Sequence, residues 1–98
     1  MAFAVLTTVK VQPGAIDGLA ELFEATNRDL VAVHDDWLGA MFTANRDTNE
    51  VTVIARWRHA ASYETLRSSP EFEATMAQFA RLFAGPPNVS INEILVEM

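Results

Sequence analysis

The chain has 98 residues, half of them hydrophobic, and a net charge of −6 from 13 acidic residues against seven Lys and Arg. This length predicts a single domain over residues 1–98, and the lack of cysteine excludes disulfides, thiolate metal sites and a cysteine nucleophile. The acidic balance argues against nucleic acid as a partner. No apolar run reaches the ~20 residues of a membrane span, and the N-terminus lacks signal-peptide features, so we expect a cytoplasmic protein with no membrane partner.

The first half of the chain predicts a strand followed by a helix. Residues 3–11 are rich in Val, Leu, Thr and Phe, which favours a strand. Pro13-Gly14 ends it. From residue 15 to about 33 apolar side chains recur at helical spacing, with charged residues on much of the opposite face.

The middle of the chain predicts a β-hairpin. Residues 37–44 (WLGAMFTA) and 51–57 (VTVIARW) are strand-like, and a short polar turn separates them. Side chains alternate along a strand. Val51, Val53, Ala55 and Trp57 should therefore share one face of the sheet, and Thr52, Ile54 and Arg56 the other.

Two helices and a strand are predicted in the remainder. Residues 60–67 form a short helix; Ser69 is a suitable N-cap and Pro70 a suitable first residue for the next one. Gly85-Pro86-Pro87 ends that helix, and residues 88–97 form the last strand. The order β-α-β-β-α-β, with the short helix as an addition, predicts an α+β fold of the ferredoxin-like kind with an antiparallel sheet.

One face of this sheet has no cover in the predicted fold, because two helices cover only the other face. A partner chain is an economical cover, so we expect a homodimer with its sheets packed face to face. Arg56 lies on this face and is expected to pair with an acid across the interface or to extend into solvent. The alternative is a monomer whose small Ala and Thr side chains tolerate water.

Several segments resemble the antibiotic biosynthesis monooxygenase family. They are the Trp that ends strand three, the W-x5-Y spacing from Trp57 to Tyr63, and the SPEF helix start at residues 69–72. Some members of this family oxidise aromatic polyketides to quinones. Residues 37–57 resemble the hairpin of those members, and residues 83–89 resemble the entry to their last strand. The resemblance covers essentially the whole chain and implies a dimeric α/β barrel.

The resemblance to these members implies that O2 oxidises an electron-rich aromatic substrate, such as an anthrone or hydroquinone. The reaction would use neither a metal nor another cofactor. By the resemblance, Trp57 and Tyr63 match aromatic residues of the substrate site and are our candidate catalytic residues. Phe23, Met41 and Met76 are candidate substrate-binding residues that add apolar walls.

Two positions depart from the pattern of the relatives. Val53 stands where the quinone-forming members carry an asparagine that binds substrate. Met76 stands where they carry an arginine, and where haem-degrading members carry their iron-binding histidine. Haem degraders also need an asparagine in strand one, where this chain reads LTTV. The resemblance therefore disfavours a haem reaction.

Each candidate also has a purely structural interpretation. Trp57 is equally explained as a core residue, since Trp packs well between sheet and helix. His59 and then His34 are possible general bases near neutral pH, although exposed loop positions suit both. Two histidines in separate loops do not make a metal site.

Two other functions remain open on the same fold. An isomerase or cyclase would need a positioned acid or base, and a non-catalytic module would bind aromatic ligands without turnover. A shared fold does not decide between them.

Overall fold

The computed structural model describes residues 2–98. Strand β1 spans Phe3–Lys10, and helix α1 spans Ile16–Thr26 and continues into a π-helical turn over Asn27–Val31. The hairpin comprises β2 (Trp37–Asn45) and β3 (Glu50–Trp57). Helix α2 (Ala60–Arg67), helix α3 (Pro70–Ala80) and strand β4 (Asn88–Glu93) complete the chain.

The predicted fold is confirmed. The four strands form one antiparallel sheet in the order β2-β3-β1-β4, and the helices pack on one of its faces. Ser69 caps α3 as predicted, since its Oγ accepts a hydrogen bond from the Phe72 N–H at 3.2 Å. The sequence predicts one helix over residues 15–33. In the structure the α-helix ends at Thr26, because the backbone then widens into the π-helical turn.

A β-bulge near the start of β2 reverses the side-chain alternation along that strand. Trp37 pairs with Trp57, but the next pair is Gly39 with Arg56, so Leu38 is an extra residue. Gly39 has a φ of +146°, and a Cβ there would lie 2.9 Å from the Arg56 guanidinium. As a result Phe42, not Met41, lies on the helix-covered face with Val53.

The open face of the sheet receives part of the C-terminal segment. The predicted last strand over 88–97 ends at Glu93, and the chain then leaves the sheet edge. Glu97 reaches Arg56, with an Oε2–Nη1 distance of 3.1 Å. The sequence analysis expected Arg56 to pair with an acid of a partner chain or to extend into solvent. In the structure Arg56 pairs with an acid of its own chain.

The helix-covered core is divided into two clusters. One contains Val9, Val11, Ile16, Leu19, Val51 and Phe79, and the other contains Val5, Val31, Trp57 and Leu66. Helix α1 contributes Ile16 and Leu19 to the first cluster, and the π-helical turn contributes Val31 to the second. Within residues 2–98, no helix has the length and apolar character needed to cross a bilayer.

Candidate active site

A cavity of about 480 Å³ lies between the sheet and the helices, and we call it the central cavity. It is lined by members of both core clusters, so it occupies the place where the core is divided. Its volume is within the range of about 300–1,000 Å³ that is usual for small-molecule sites.

The walls of the central cavity are mostly apolar. The sheet contributes Val5, Thr7, Val9, Phe42, Val51, Val53, Ala55, Trp57 and Val89. The helices and their connections contribute Leu19, Phe23, Thr26, Asn27, Val31, Tyr63, Leu66, Arg67, Phe72, Glu73, Met76, Phe79, Phe83 and Pro87. Such a lining suits an apolar guest that is oriented by a few polar groups.

Trp57 is both a core residue and a wall of this cavity. Its side chain is 1% exposed and packs beside Val31 and Leu66, yet it also lines the cavity. Its indole Nε1 is buried and has no hydrogen-bond partner within residues 2–98. A buried donor without a partner costs free energy.

Tyr63 lies on α2 beside Trp57, with 6.2 Å between the ring centroids. Burial raises the pKa of the Tyr63 phenol, and the nearby Arg67 guanidinium partly opposes this shift. The two residues are one helical turn apart and both line the cavity. With its pKa raised, Tyr63 keeps its proton at neutral pH, so its phenol can donate a hydrogen bond and does not act as a base.

Titration of Tyr63 can be followed directly, because it is the only tyrosine of the chain. We expect the near-ultraviolet absorbance of tyrosinate to rise at a higher pH in the folded protein than in urea, where the midpoint should be about 10. Since the folded pKa is raised, this group stabilises the fold below pH ~10, and that stabilisation is lost as pH rises through the folded value.

Arg67→Gln should move the folded midpoint of Tyr63 still higher, because the guanidinium opposes the effect of burial. Equal midpoints in the folded and urea-unfolded protein would contradict this description of the site.

The structure brings four predicted site residues together and separates the fifth. Trp57, Tyr63, Phe23 and Met76 all line the central cavity. The prediction that Met41 adds a wall is wrong. Because of the bulge in β2, Met41 lies on the opposite face of the sheet, paired with Ile54 and 58% exposed.

Neither candidate histidine lies on the cavity wall. His59 precedes α2, is largely exposed, and its Nδ1 lies 3.3 Å from Asp36 Oδ2. The Ser62 hydroxyl also donates to Asp36 and, together with His59, lowers the pKa of that carboxyl group. His34 packs edge-on against the Trp57 ring, at 5.9 Å between centroids, without lining the cavity. The geometry gives neither residue direct access to a bound substrate.

Five polar residues of the cavity were not predicted from the sequence, namely Thr7, Thr26, Asn27, Arg67 and Glu73. Asn27 begins the π-helical turn, and its Nδ2 donates to the Phe23 carbonyl at 2.9 Å. π-Helical turns inside helices often occur at functional sites. The spacing of residues in the sequence, however, does not predict a π-helical turn here. For Thr7, alternation along β1 with Val5 and Val9 was the available signal.

Metal ligation has little support in the residues that the structure describes. Across residues 2–98, no three Asp, Glu or His side chains are grouped so as to hold a metal ion.

Comparisons with known proteins agree with this architecture. Rv0793 from Mycobacterium tuberculosis is similar in fold at 23% identity and a TM-score of 0.80, with 99% of this chain and 98% of that chain covered. SnoaB, a cofactor-independent oxygenase from Streptomyces nogalater, matches at 15% identity and a TM-score of 0.84, with 99% and 96% covered.

A protein of unknown function from Nitrosomonas europaea also matches, at 20% identity and a TM-score of 0.77, with 99% and 92% covered. At these identities the likeness shows the fold alone. No curated protein sequence matches the chain significantly. The family model for antibiotic biosynthesis monooxygenases, however, matches residues 2–78. Because this match spans well over half of the chain, the protein belongs to the antibiotic biosynthesis monooxygenase family.

Proposed function

We propose that this protein is a cofactor-independent monooxygenase that acts in the cytoplasm and oxidises an electron-rich aromatic compound with O2. The substrate class is an anthrone or a hydroquinone. SnoaB, described as a cofactor-independent oxygenase, shares the fold. The match to the family of antibiotic biosynthesis monooxygenases also supports an oxygenase.

The observation that carries this proposal is an apolar cavity that Trp57 and Tyr63 both line. The central cavity has room for a small molecule, and the Trp57 indole nitrogen is buried without a hydrogen-bond partner within residues 2–98. An aromatic ketone offers apolar rings for such walls and an oxygen atom for that donor.

The proposed reaction balances without an added reductant. For an anthrone, the substrate methylene loses a proton, and the resulting carbanion is delocalised onto the carbonyl oxygen. This anion passes an electron to O2 and combines with it to give a peroxide. The peroxide takes up a proton and loses water, which leaves a new C=O group. One oxygen atom enters the product and the other leaves in water.

The side chains at the cavity have defined parts in this scheme. Developing negative charge on the substrate oxygen would be stabilised by the Trp57 N–H and the Tyr63 O–H, since the raised pKa of Tyr63 keeps it protonated. Arg67 adds a positive charge to the same wall. The apolar remainder excludes water from the anion.

We also propose a homodimer formed through the open face of the sheet. The residues on that face include Leu6, Ile54 and Met41, which lie opposite the helix-covered set. The exposed Met41 is explained by this arrangement better than by a role in the cavity.

Oxygen consumption on an electrode tests the proposal. Purified protein without added cofactor would meet a panel of anthrones and hydroquinones. We expect uptake above the uncatalysed rate for at least one compound, with one O2 consumed for each anthrone converted to quinone. Tyr63→Phe should slow the reaction, because it removes a donor to the substrate oxygen. Uptake at the uncatalysed rate for the whole panel would contradict the proposal.

A specific observation favours a second candidate, a module that binds aromatic ligands without turnover. Val53 and Met76, which replace polar residues of active relatives, both line the central cavity. If ligands quench tryptophan fluorescence while no substrate is consumed, this second candidate replaces the first.

A further inference from the structure

We infer that Glu73 is the general base that removes the carbon-bound proton of the substrate, an inference that rests on the proposed function. The reaction begins with loss of a proton, and neither candidate histidine reaches the central cavity. Glu73 lines that cavity from the first turns of α3.

The other titratable groups of the cavity cannot take this part. Arg67 carries a guanidinium, a group that offers donors and no acceptor, and burial raises the pKa of Tyr63 so that it stays a donor. Glu73 is the one carboxylate among the residues that line the cavity. Its charge has no salt-bridge partner within residues 2–98. A carboxylate is one of the side-chain groups that act as general bases in enzymes.

A carboxylate is sufficient for this step when the product anion is stabilised. In ketosteroid isomerase, an aspartate removes a carbon-bound proton while hydrogen-bond donors hold the enolate oxygen. Here Trp57 and Tyr63, whose side chains carry hydrogen-bond donors, line the same cavity as Glu73. The carboxylate and these donors could thus act on one bound molecule.

The proton transfers balance through Glu73. Its carboxylate takes one proton from the methylene, and the electron pair of that C–H bond moves to the carbonyl oxygen. After the anion has combined with O2, the carboxylic acid returns this proton to the peroxide. Loss of water from the hydroperoxide then forms the C=O group and leaves Glu73 ionised again.

Proton abstraction can be measured without oxygen, which separates this inference from the proposed function. Anthrone in D2O under nitrogen exchanges its methylene protons, and NMR follows the exchange beyond the uncatalysed rate. We expect the wild type to accelerate it and Glu73→Gln to lower the catalysed rate by about 100-fold or more. Anthrone binding, measured by tryptophan quenching, should change by less than about threefold.

Glu71→Gln is the matched control. Glu71 lies in the same helical segment but lines a separate groove between α1 and α3, so its variant should exchange at the wild-type rate. Catalysed exchange that persists in Glu73→Gln, or a wild type that does not accelerate exchange, would overturn the inference. Exchange that requires Glu73 but is not followed by O2 uptake would uphold the base and refute the oxygenase.

Discussion

Replacing Ala55 by Phe should abolish substrate binding while the protein stays folded. Ala55 lies in the middle of β3, pairs with Val5 on one side and Ala40 on the other, and lines the central cavity. A phenyl ring at this position would occupy the space that an aromatic substrate needs. We expect affinity for anthrones to fall by about 100-fold or more, because the ring sets up a direct steric clash with the substrate.

The fold should tolerate this ring because the cavity gives it room. Overpacking a filled core costs about 1–3 kcal/mol of stability. For Ala55→Phe we expect the free energy of unfolding to fall by about 1 kcal/mol or less. Urea unfolding measures the stability, and tryptophan quenching measures the binding. Ala61→Phe is the control, since Ala61 is exposed on α2 and does not line the cavity. Binding that survives in Ala55→Phe would place the ligand elsewhere.

Trp57→Phe should weaken the binding of a neutral anthrone by about two- to tenfold, and that of its anion by more, with a smaller loss of stability than Trp57→Ala. The Trp57 N–H has no partner within residues 2–98, so its removal breaks no internal hydrogen bond. A bound ligand would lose a hydrogen bond worth about 0.5–1.5 kcal/mol to a neutral oxygen, or about 1.5–3 kcal/mol to an anion. Trp57→Ala, by contrast, should cost about 3–5 kcal/mol in stability, because the side chain is fully buried.

Trp37→Phe is a matched control for this change. Trp37 pairs across the hairpin with Trp57, and its indole nitrogen is also buried without a partner. It does not line the central cavity, so its variant should bind anthrones as the wild type does. Equal losses of affinity in the two variants would show that the hydrogen bond from Trp57 is not what holds the ligand.

Much of the fold could be predicted because local signals agreed with one another. The helical spacing after Pro13-Gly14, the polar turn of the hairpin and the Ser69-Pro70 helix start each specified an element that the structure contains. The bulge in β2 could not be predicted in this way. It depends on Gly39 adopting a positive φ beside the Arg56 side chain, and that tertiary contact leaves no local pattern.

The candidate site was predictable only where the family resemblance or strict alternation applied. Trp57 and Tyr63 were identified by resemblance, and the face of Val53 by alternation along β3. Met41 was misplaced because the bulge shifts alternation by one residue. Glu73 looked like an ordinary charged residue near a helix start, which favours acids in any protein. Its position on the cavity wall follows from the packing of α3 against the sheet.

We propose that one atom of O2 enters an aromatic substrate bound in the central cavity. Turnover of an anthrone under ¹⁸O₂ by cofactor-free protein, with mass analysis of the quinone and Ala55→Phe as the blank, measures this. We expect one ¹⁸O atom in the new carbonyl group of product formed above that blank. Product formed with oxygen from water, or formed equally by Ala55→Phe, would contradict it.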